Sequence, residues 1–254
     1  MRRLVSFAKR YVVAAGGAGY AFTLGLHSRR HRGLIHNIAK HFGYEAAPTP
    51  LLPTVSVAEV TREDTPVLLR EPASRDGNVT ILELLVLARL VRERAPRALF
   101  EIGTFDGRTT LNLAANSPAD AVVYTLDLPP DLAPSLDLAL AERKYVDKAV
   151  SGARFLGTDL APKIRQLLGD SATFDFGPYA ADFIFVDASH AYEYVLSDSR
   201  RALQMLRGGR GTIVWHDYSE WEGVTRALNT LARDVPPFAA LRWIEGTTLA
   251  ILER

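Results

Sequence analysis

The sequence contains no cysteine, which excludes disulfides, thiolate metal sites and cysteine nucleophiles. Any metal ion would need oxygen or imidazole ligands, and the composition fits a reducing compartment such as the cytoplasm. No long hydrophobic run is present: the uncharged stretch Tyr11–Leu26 has 16 residues, fewer than the roughly 20 of a transmembrane helix. With 254 residues, 48% of them hydrophobic, the chain suits one large α/β domain with or without an appendage.

Acidic residues are absent from residues 1–44, which carry eight lysines and arginines. The total formal charge is +1, so the other 210 residues carry a net charge of −7. A basic head on an acidic body predicts that residues 1–44 interact with an anionic surface or serve as an interaction arm. We expect a basic helical N-terminal extension over this range.

The uncharged stretch Tyr11–Leu26 lies between basic residues and includes glycines that weaken an isolated helix. We favour a retained helix, in the cytoplasm or on a membrane surface, over a cleaved signal or a membrane span, because no sharp cleavage site stands out. Four histidines also lie in the extension without regular ligand spacing, which favours a solvated basic face over a metal site; they are His27, His31, His36 and His41.

Residues 45–76 are rich in proline and have no sustained period, so we interpret them as a linker that wraps the body. The body, residues 77–254, begins with Thr80 and Glu83 at capping-box spacing before an apolar-periodic helix. Apolar strand-like runs then alternate with helical patterns, which indicates a parallel sheet covered on both faces. The runs are Ala98–Gly103, Ala121–Asp127, Ile164–Asp170, Asp182–Asp187 and Gly211–Asp217.

The end of the chain departs from this alternation of strands and helices. There, Glu245, Gly246 and Thr247 separate two strand-like runs, a pattern typical of a β-hairpin. We therefore expect a mostly parallel sheet closed by an antiparallel edge. Ligands of such sheets lie beyond the carboxyl ends of the strands. All five predicted parallel strands end in polar residues, and a helix-capping role for every one of them is improbable.

The first strand end has the sequence EIGTFDGRTT, in which Gly103 and Gly107 allow a tight turn. The spacing G-x-x-x-G is not the G-x-G-x-x-G of a dinucleotide fold, and Glu101 would repel a pyrophosphate. Asp127 ends the second strand, where a carboxylate can accept hydrogen bonds from both ribose hydroxyls. Asp170 and Ser171 end the third and suit an adenine amino group, so the set describes a nucleoside.

The ordered motifs FEIGTFDGRTT, YTLDLP, LLGDSATFDF, DFIFVDASHAYEYV, LRGGRGTIVWHDY and EGTTLAIL resemble class I S-adenosylmethionine (SAM)-dependent methyltransferases. Within that class they are similar to the bacterial sugar and natural-product O-methyltransferases. The resemblance covers residues 77–254 and implies a Rossmann-like α/β fold, with a seven-stranded, mostly parallel sheet, an antiparallel last strand and helices on both faces. The cofactor contacts that we predict are Glu101, Gly103, Thr104, Phe105, Gly107, Asp127, Leu128, Asp170, Ser171 and Asp187.

Asp187 and Asp217 end adjacent predicted strands and could hold a divalent ion at the cofactor cleft. Relatives place acids at both positions, but this chain has His216 where some of them have an acid and Tyr218 where catechol-type enzymes have asparagine. We therefore predict a metal site of Asp187, His216 and Asp217. Mg²⁺ and Mn²⁺ are the candidates, and the histidine favours Mn²⁺, Fe²⁺ or Zn²⁺ somewhat over Mg²⁺.

His190 lies at the fourth position of D-x-x-H, which the resemblance assigns to the general base. An imidazole can take the proton that an alcohol loses during methyl transfer; the alternative is that His190 only begins the next helix. Of the nearby aromatic residues, Trp221 is the best candidate to contact the acceptor. Residues 129–162 form an insert that could belong to a lid or a dimer contact.

These features predict an enzyme that methylates a hydroxyl of a sugar or glycosylated small molecule with SAM. A non-catalytic nucleoside-binding module that docks through its basic N-terminus is the alternative, and an NAD-dependent oxidoreductase is disfavoured by the glycine spacing. We expect no nucleic-acid partner. A peripheral membrane contact through residues 1–44 and homo-oligomerisation both stay open.

Overall fold

A computed structural model of the protein describes residues 2–28, 31, 48–136, 142–146, 148 and 150–254. The chain divides into two compact units between residues 47 and 48. In the first unit, helix α1 (Arg2–Ala21) is followed by a short 3-10 helix, Leu24–His27. The rest of the predicted basic extension, apart from Phe22, Thr23, Ser28 and His31, lies outside the described residues. Within the described part of the chain, no helix combines the length and apolarity needed to cross a membrane.

The second unit contains eight strands and six α-helices among its described residues. The strands are β1 (Thr54–Val55), β2 (Ala98–Ile102), β3 (Val122–Asp127), β4 (Ile164–Leu168), β5 (Phe183–Val186), β6 (Thr212–Trp215), β7 (Arg242–Ile244) and β8 (Ala250–Glu253). The helices are α2 (Val57–Val60), α3 (Ile81–Arg94), α4 (Arg108–Asn116), α5 (Arg143–Val146), α6 (Tyr192–Met205) and α7 (Glu222–Asp234). Short 3-10 helices cover Ala161–Lys163, Arg207–Gly209 and Pro236–Phe238.

All strands form one sheet in the order β1-β7-β8-β6-β5-β2-β3-β4. Every neighbouring pair is parallel except those of β8, which runs antiparallel to both β6 and β7. The predicted α/β fold with an antiparallel last strand is therefore confirmed. The expectation that the antiparallel strand lies at the sheet edge is wrong, because β8 lies between β6 and β7 and pairs with both.

The sheet has one strand more than the seven that the resemblance implied. The additional strand, β1, pairs with β7 in parallel, with Thr54 opposite Trp243 and Val55 opposite Ile244. Residues 48–76 thus belong to the compact unit and contribute its outermost strand. A strand of two residues directly after Pro53 is too short to produce the alternating pattern by which strands are found in a sequence.

The core has two layers because side chains alternate between the faces of a strand. Phe100 and Ile184 pack in one buried cluster, together with α6 and α7. Leu99 and Phe183, their neighbours along β2 and β5, pack in the other cluster with α3 and α4. Burial on both faces explains why these strands form continuous apolar runs in the sequence.

The strand register aligns the carboxyl ends of the central strands at one edge. Ile102 of β2 lies opposite Leu126 of β3 and Val186 of β5, and Val186 in turn lies opposite Trp215 of β6. The residues that follow these positions are therefore neighbours in space, although they come from distant parts of the sequence.

Candidate active site

A cleft lies at this edge of the sheet, lined by residues that end or follow the strands β2, β3, β4 and β5. It brings together seven of the ten residues predicted to contact a cofactor. These are Gly103, Phe105, Asp127, Leu128, Asp170, Ser171 and Asp187. Gly103 has a φ of +105°, and a Cβ there would collide with the backbone carbonyl of Asp187. A glycine is thus required where the β2 and β5 ends meet.

The other three predicted residues do not line the cleft. Glu101 is 1% exposed, and its carboxyl group accepts hydrogen bonds from the hydroxyls of Thr110 and Thr125. Because side chains alternate along β2, Glu101 points towards α4 instead of the cleft. Thr104 bonds to the Thr125 hydroxyl at 2.7 Å, and Gly107 forms the left-handed turn that starts α4.

Burial raises the pKa of Glu101 to about 8, despite the hydrogen bonds from Thr110 and Thr125 that favour the ionised form. The side chain is therefore uncharged near neutral pH. In the structure its carboxyl group connects β2 with β3 and α4.

Asp127, the carboxylate predicted for ribose hydroxyls, faces the cleft at the end of β3. Its Oδ2 accepts a hydrogen bond from Ser151 and lies 2.8 Å from Lys148 Nζ. Both partners belong to the insert between β3 and β4. Sequence reasoning did not identify Lys148, because nothing in the local pattern shows that the insert folds back over the strand ends.

Asp170 and Ser171 lie farther along the same cleft. Asp170 accepts hydrogen bonds from the Tyr194 hydroxyl at 3.1 Å and from the Ala172 amide at 2.9 Å. Burial acts to raise the pKa of Asp170, but hydrogen bonds from Ser135, Ala172 and Tyr194 outweigh it and lower that pKa. Behind them, burial raises the pKa of Asp198 on α6 to about 7, a buried acid that the sequence analysis missed.

Asp187, His216 and Asp217 form a cluster at the ends of β5 and β6, as predicted. His216 Nδ1 lies 3.0 Å from Asp187 Oδ1 and 3.2 Å from Asp217 Oδ2, and one ligand atom from each residue fits within 4.8 Å of the others. Asp217 has a left-handed backbone with a φ of +64°. A left-handed backbone is uncommon in residues other than glycine, although aspartate adopts it more readily than most, and such residues cluster at functional sites.

The cluster fits a divalent cation by its donor set and spacing. Ligand atoms about 3 Å apart match neighbouring corners of an octahedron with bonds of roughly 2.1 Å. His216 Nε2, the other ring nitrogen, lies 3.4 Å from Glu83 Oε2. A carboxylate at the second nitrogen is the arrangement that orients a metal-bound histidine.

Glu83 has a second role besides the predicted capping box. The capping box with Thr80 is confirmed, and the other carboxylate oxygen accepts hydrogen bonds from the Thr248 amide at 2.7 Å and hydroxyl at 2.8 Å. Burial acts to raise the pKa of Glu83, but His216 and the amides of Thr248 and Thr80 lower it to about 2. Glu83 therefore joins α3, the β7–β8 hairpin and the histidine of the cluster.

His190 lies between two carboxylates at the mouth of the cleft. Its Nε2 is 2.6 Å from Asp217 Oδ2, and its Nδ1 is 2.7 Å from Glu142 Oε1. The Trp221 ring stacks on the imidazole, with centroids 4.0 Å apart and planes 10° apart. Trp221 thus supports His190. Glu142, an insert residue, had no signal in the sequence.

The two histidines and the carboxylates around them shift one another's pKa values. Burial acts to lower the pKa of His190, but Asp217 and Glu142 outweigh it and raise that pKa to about 9. Asp217 and Asp187 likewise hold the pKa of His216 well above its ordinary value against the effect of burial. Both imidazoles in turn hold the pKa of Asp217 far below its usual range, although burial acts in the other direction. Asp217 is the carboxylate that both rings share.

The chain is similar to known proteins in sequence and in fold. Residues 100–218 match the model of a family described as a methyltransferase domain. Caffeoyl-CoA O-methyltransferase from Stellaria longipes is 27% identical over 164 residues, which cover 65% of this chain and 62% of that relative. The chain therefore spans less than two thirds of the relative's length.

Two solved structures are similar to the chain. An O-methyltransferase from Bacillus cereus in complex with SAH has a TM-score of 0.50 at 16% identity, covering 71% of this chain and 84% of that one. The O-methyltransferase of tomaymycin synthesis from Streptomyces achromogenes, in complex with SAM, has a TM-score of 0.48 at 19% identity, covering 85% and 96%. At these identities the likeness of the Bacillus protein concerns the fold. The chain is therefore similar to methyltransferase domains over residues 100–218, and its sheet has the Rossmann-like α/β fold of these enzymes.

Proposed function

We propose that this protein transfers the methyl group of SAM to a hydroxyl group of a sugar or glycosylated small molecule. The observation that carries the proposal is the convergence of Asp127, Asp170, Asp187 and His190 on one cleft. Asp127 suits the ribose hydroxyls, and Asp170 with Ser171 suits the adenine end. The sulfonium centre would then lie towards Gly103 and Asp187, where the cleft continues to His190.

The reaction needs a base but no covalent intermediate on the protein. An oxygen lone pair of the acceptor attacks the methyl carbon of SAM, the carbon–sulfur bond breaks, and its electron pair stays on sulfur to give S-adenosylhomocysteine (SAH). The hydroxyl proton passes to His190, whose imidazole lines the cleft. Holding the two substrates in line in one cleft supplies much of the acceleration.

His190 can act as the base only when its ring is neutral. In the structure it faces both Glu142 and Asp217, and Asp217 is also close to His216. Asp187, His216 and Asp217 would hold a divalent cation. When bound, such a cation would lower the pKa of an acceptor hydroxyl in contact with it. Its positive charge would also offset the charge of Asp217, which otherwise stabilises the protonated form of His190.

Tyr218 occupies the position at which the resemblance gives catechol-type enzymes an asparagine. Its side chain is fully buried, and its hydroxyl binds the amides of Leu51 and Leu52 at 2.8 and 2.9 Å. Tyr218 therefore anchors the segment before β1 and does not face the cluster. The asparagine that the resemblance gives to catechol-type enzymes at this position has no counterpart here.

A methyl-transfer screen tests the proposal. The full chain is incubated with SAM and panels of sugars, glycosides, catechols and other phenols, with Mg²⁺, Mn²⁺ or a chelator, and SAH is measured. We expect SAH release with a glycoside and a loss of it on chelation. Turnover restricted to catechols would contradict the acceptor class, and full activity after exhaustive chelation would contradict the metal site. SAH binding without turnover on any acceptor would favour the non-catalytic module.

A further inference from the structure

Helix α1 and the residues directly after it expose large apolar side chains. Every residue from 11 to 20 is exposed. Among the large apolar residues the exposed fraction lies between 44% and 68% for Tyr11, Val12, Val13, Tyr20, Phe22 and Leu24. A contiguous apolar surface of this kind marks a site that binds a partner or a membrane.

Three glycines lie within the apolar half of α1, at positions 16, 17 and 19. A Cβ at any of them would meet no atom of the described residues within 4 Å, so close packing within the described structure does not explain them. Glycine weakens a helix in water. In apolar surroundings the backbone groups must bond to one another, which favours the helix. The glycines therefore fit a helix that becomes stable in contact with lipid.

Charge complementarity indicates which surface α1 fits. Residues 1–44 contain eight basic residues and no acidic one. With 3.6 residues per turn, four basic positions of α1 fall on one face of the helix, and they are Arg2, Arg3, Lys9 and Arg10. Leu4, Ala8 and Tyr11 occupy positions on the opposite face. A basic face opposite an apolar one is typical of helices that lie in the interface of an anionic membrane.

Two tyrosines delimit the uncharged part of the helix, Tyr11 near its beginning and Tyr20 near its end. Tyrosine combines an apolar ring with a polar hydroxyl and is enriched at the boundary between lipid and water. The uncharged stretch Tyr11–Leu26 has 16 residues, fewer than the roughly 20 that cross a bilayer. These features favour a helix that lies on the membrane over one that spans it.

We propose that α1 binds the surface of a membrane that contains anionic lipids. Its apolar residues insert at the level of the headgroups, and the basic residues of the extension interact with the lipid phosphates. The methyl-transfer proposal is independent of this one, because α1 contributes no residue to the cleft.

The absence of cysteine permits a direct test. Val13→Cys in the full-length protein is labelled with nitrobenzoxadiazole, whose emission shifts to the blue in apolar surroundings. The vesicles consist of phosphatidylcholine alone or of phosphatidylcholine and phosphatidylglycerol in equal parts. We expect a blue shift with the anionic vesicles only, reversed by high salt. Leu156→Cys is the matched control, because Leu156 is 53% exposed but belongs to the second unit, and its label should not respond.

The second test measures how much the basic residues contribute. Each lysine or arginine close to an anionic bilayer strengthens binding about fivefold. In co-sedimentation, Lys9→Gln combined with Arg10→Gln should lower the partition coefficient about 20-fold, and Lys9→Glu combined with Arg10→Glu should lower it further. Arg200→Glu combined with Arg210→Glu, at exposed positions of the second unit, should leave it nearly unchanged.

No response of the Val13 label to anionic vesicles would overturn the proposal, and so would an equal response to vesicles of phosphatidylcholine alone. A blue shift that grows with protein concentration in the absence of vesicles would assign α1 to self-association. An equal response to short duplex DNA would assign it to binding of polyanions in general. Either result would also overturn membrane binding, whereas SAH release in the acceptor screen has no influence on these outcomes.

Discussion

The two ends of the cleft use acidic residues in different ways. At the nucleoside end, Asp127 and Asp170 meet hydroxyl and amide donors and one lysine. At the acceptor end, two histidines lie among four carboxylates, which belong to Glu83, Glu142, Asp187 and Asp217.

Under the proposed function, this difference separates cofactor binding from proton transfer. The nucleoside end offers acceptors to the neutral hydroxyl and amino groups of a cofactor, which changes no protonation state. The acceptor end contains groups whose pKa values shift by mutual contact, as is common where protons move. Substitutions at the two ends should therefore have different kinetic effects.

The largest expected effect is at the acceptor end. His190→Gln removes the proposed base while its amide can still bond to Glu142 or Asp217, so we expect kcat to fall about 10²- to 10⁴-fold. The Kd of SAH should change less than about twofold, since the nucleoside end is intact. Steady-state kinetics and calorimetry measure both. A kcat within threefold of the wild-type value would remove His190 from the mechanism.

The converse effect is expected at the nucleoside end. Asp127→Asn retains the shape of the side chain but loses the charge that strengthens hydrogen bonds from ribose hydroxyls. Such bonds contribute roughly 1.5–3 kcal/mol, so we expect SAH affinity to fall about 10- to 100-fold by calorimetry. Asp120→Asn is the control, because Asp120 is 66% exposed and lies beyond the cleft near Arg97. Unchanged affinity in Asp127→Asn would place the nucleoside elsewhere.

The smallest expected effect is on stability and concerns Glu101, which is buried and does not line the cleft. In the folded protein its carboxyl group keeps a proton up to a pKa of about 8, against an ordinary value of 4.5. Between these values the folded state binds more protons than the unfolded state, so the free energy of unfolding falls as pH rises. Glu101→Gln removes this dependence.

Urea unfolding at several pH values from 5 to 8 checks this expectation. The stability of Glu101→Gln relative to the wild type should increase with pH, by at most about 1.4 kcal/mol per unit. Glu222→Gln, at an exposed carboxylate, should show no such trend. A relative stability of Glu101→Gln that is independent of pH would mean that Glu101 is ionised throughout.

The sequence predicts the central parallel strands β2, β5 and β6 well because each is buried on both faces and therefore forms an apolar run that is followed by a polar residue or a glycine. Gly103, Asp127, Asp170 and Asp187 could be placed at one edge on that basis. The strand β1 could not be predicted, because two residues are too few to show an alternating pattern of apolar and polar side chains. Glu101 shows that lying near a strand end does not by itself bring a side chain to the cleft. Side chains alternate between the two faces of a strand, and that of Glu101 points towards α4.

The residues from the insert could not be predicted. Lys148 and Glu142 reach Asp127 and His190 through contacts 21 and 48 residues apart in the chain, which no local pattern encodes. For the same reason, only one of the two roles of Glu83 could be predicted from the sequence. Its capping box is local, whereas its contacts with Thr248 lie 165 residues away.

Calorimetric titration of SAH into the full-length protein tests the central claim most directly, because every step of the account begins with a nucleoside cofactor in this cleft. We predict saturable binding at one site per chain, weakened by Asp127→Asn and unaffected by His190→Gln. Absence of binding to the wild-type protein, or equal affinity in the wild type and Asp127→Asn, would contradict it.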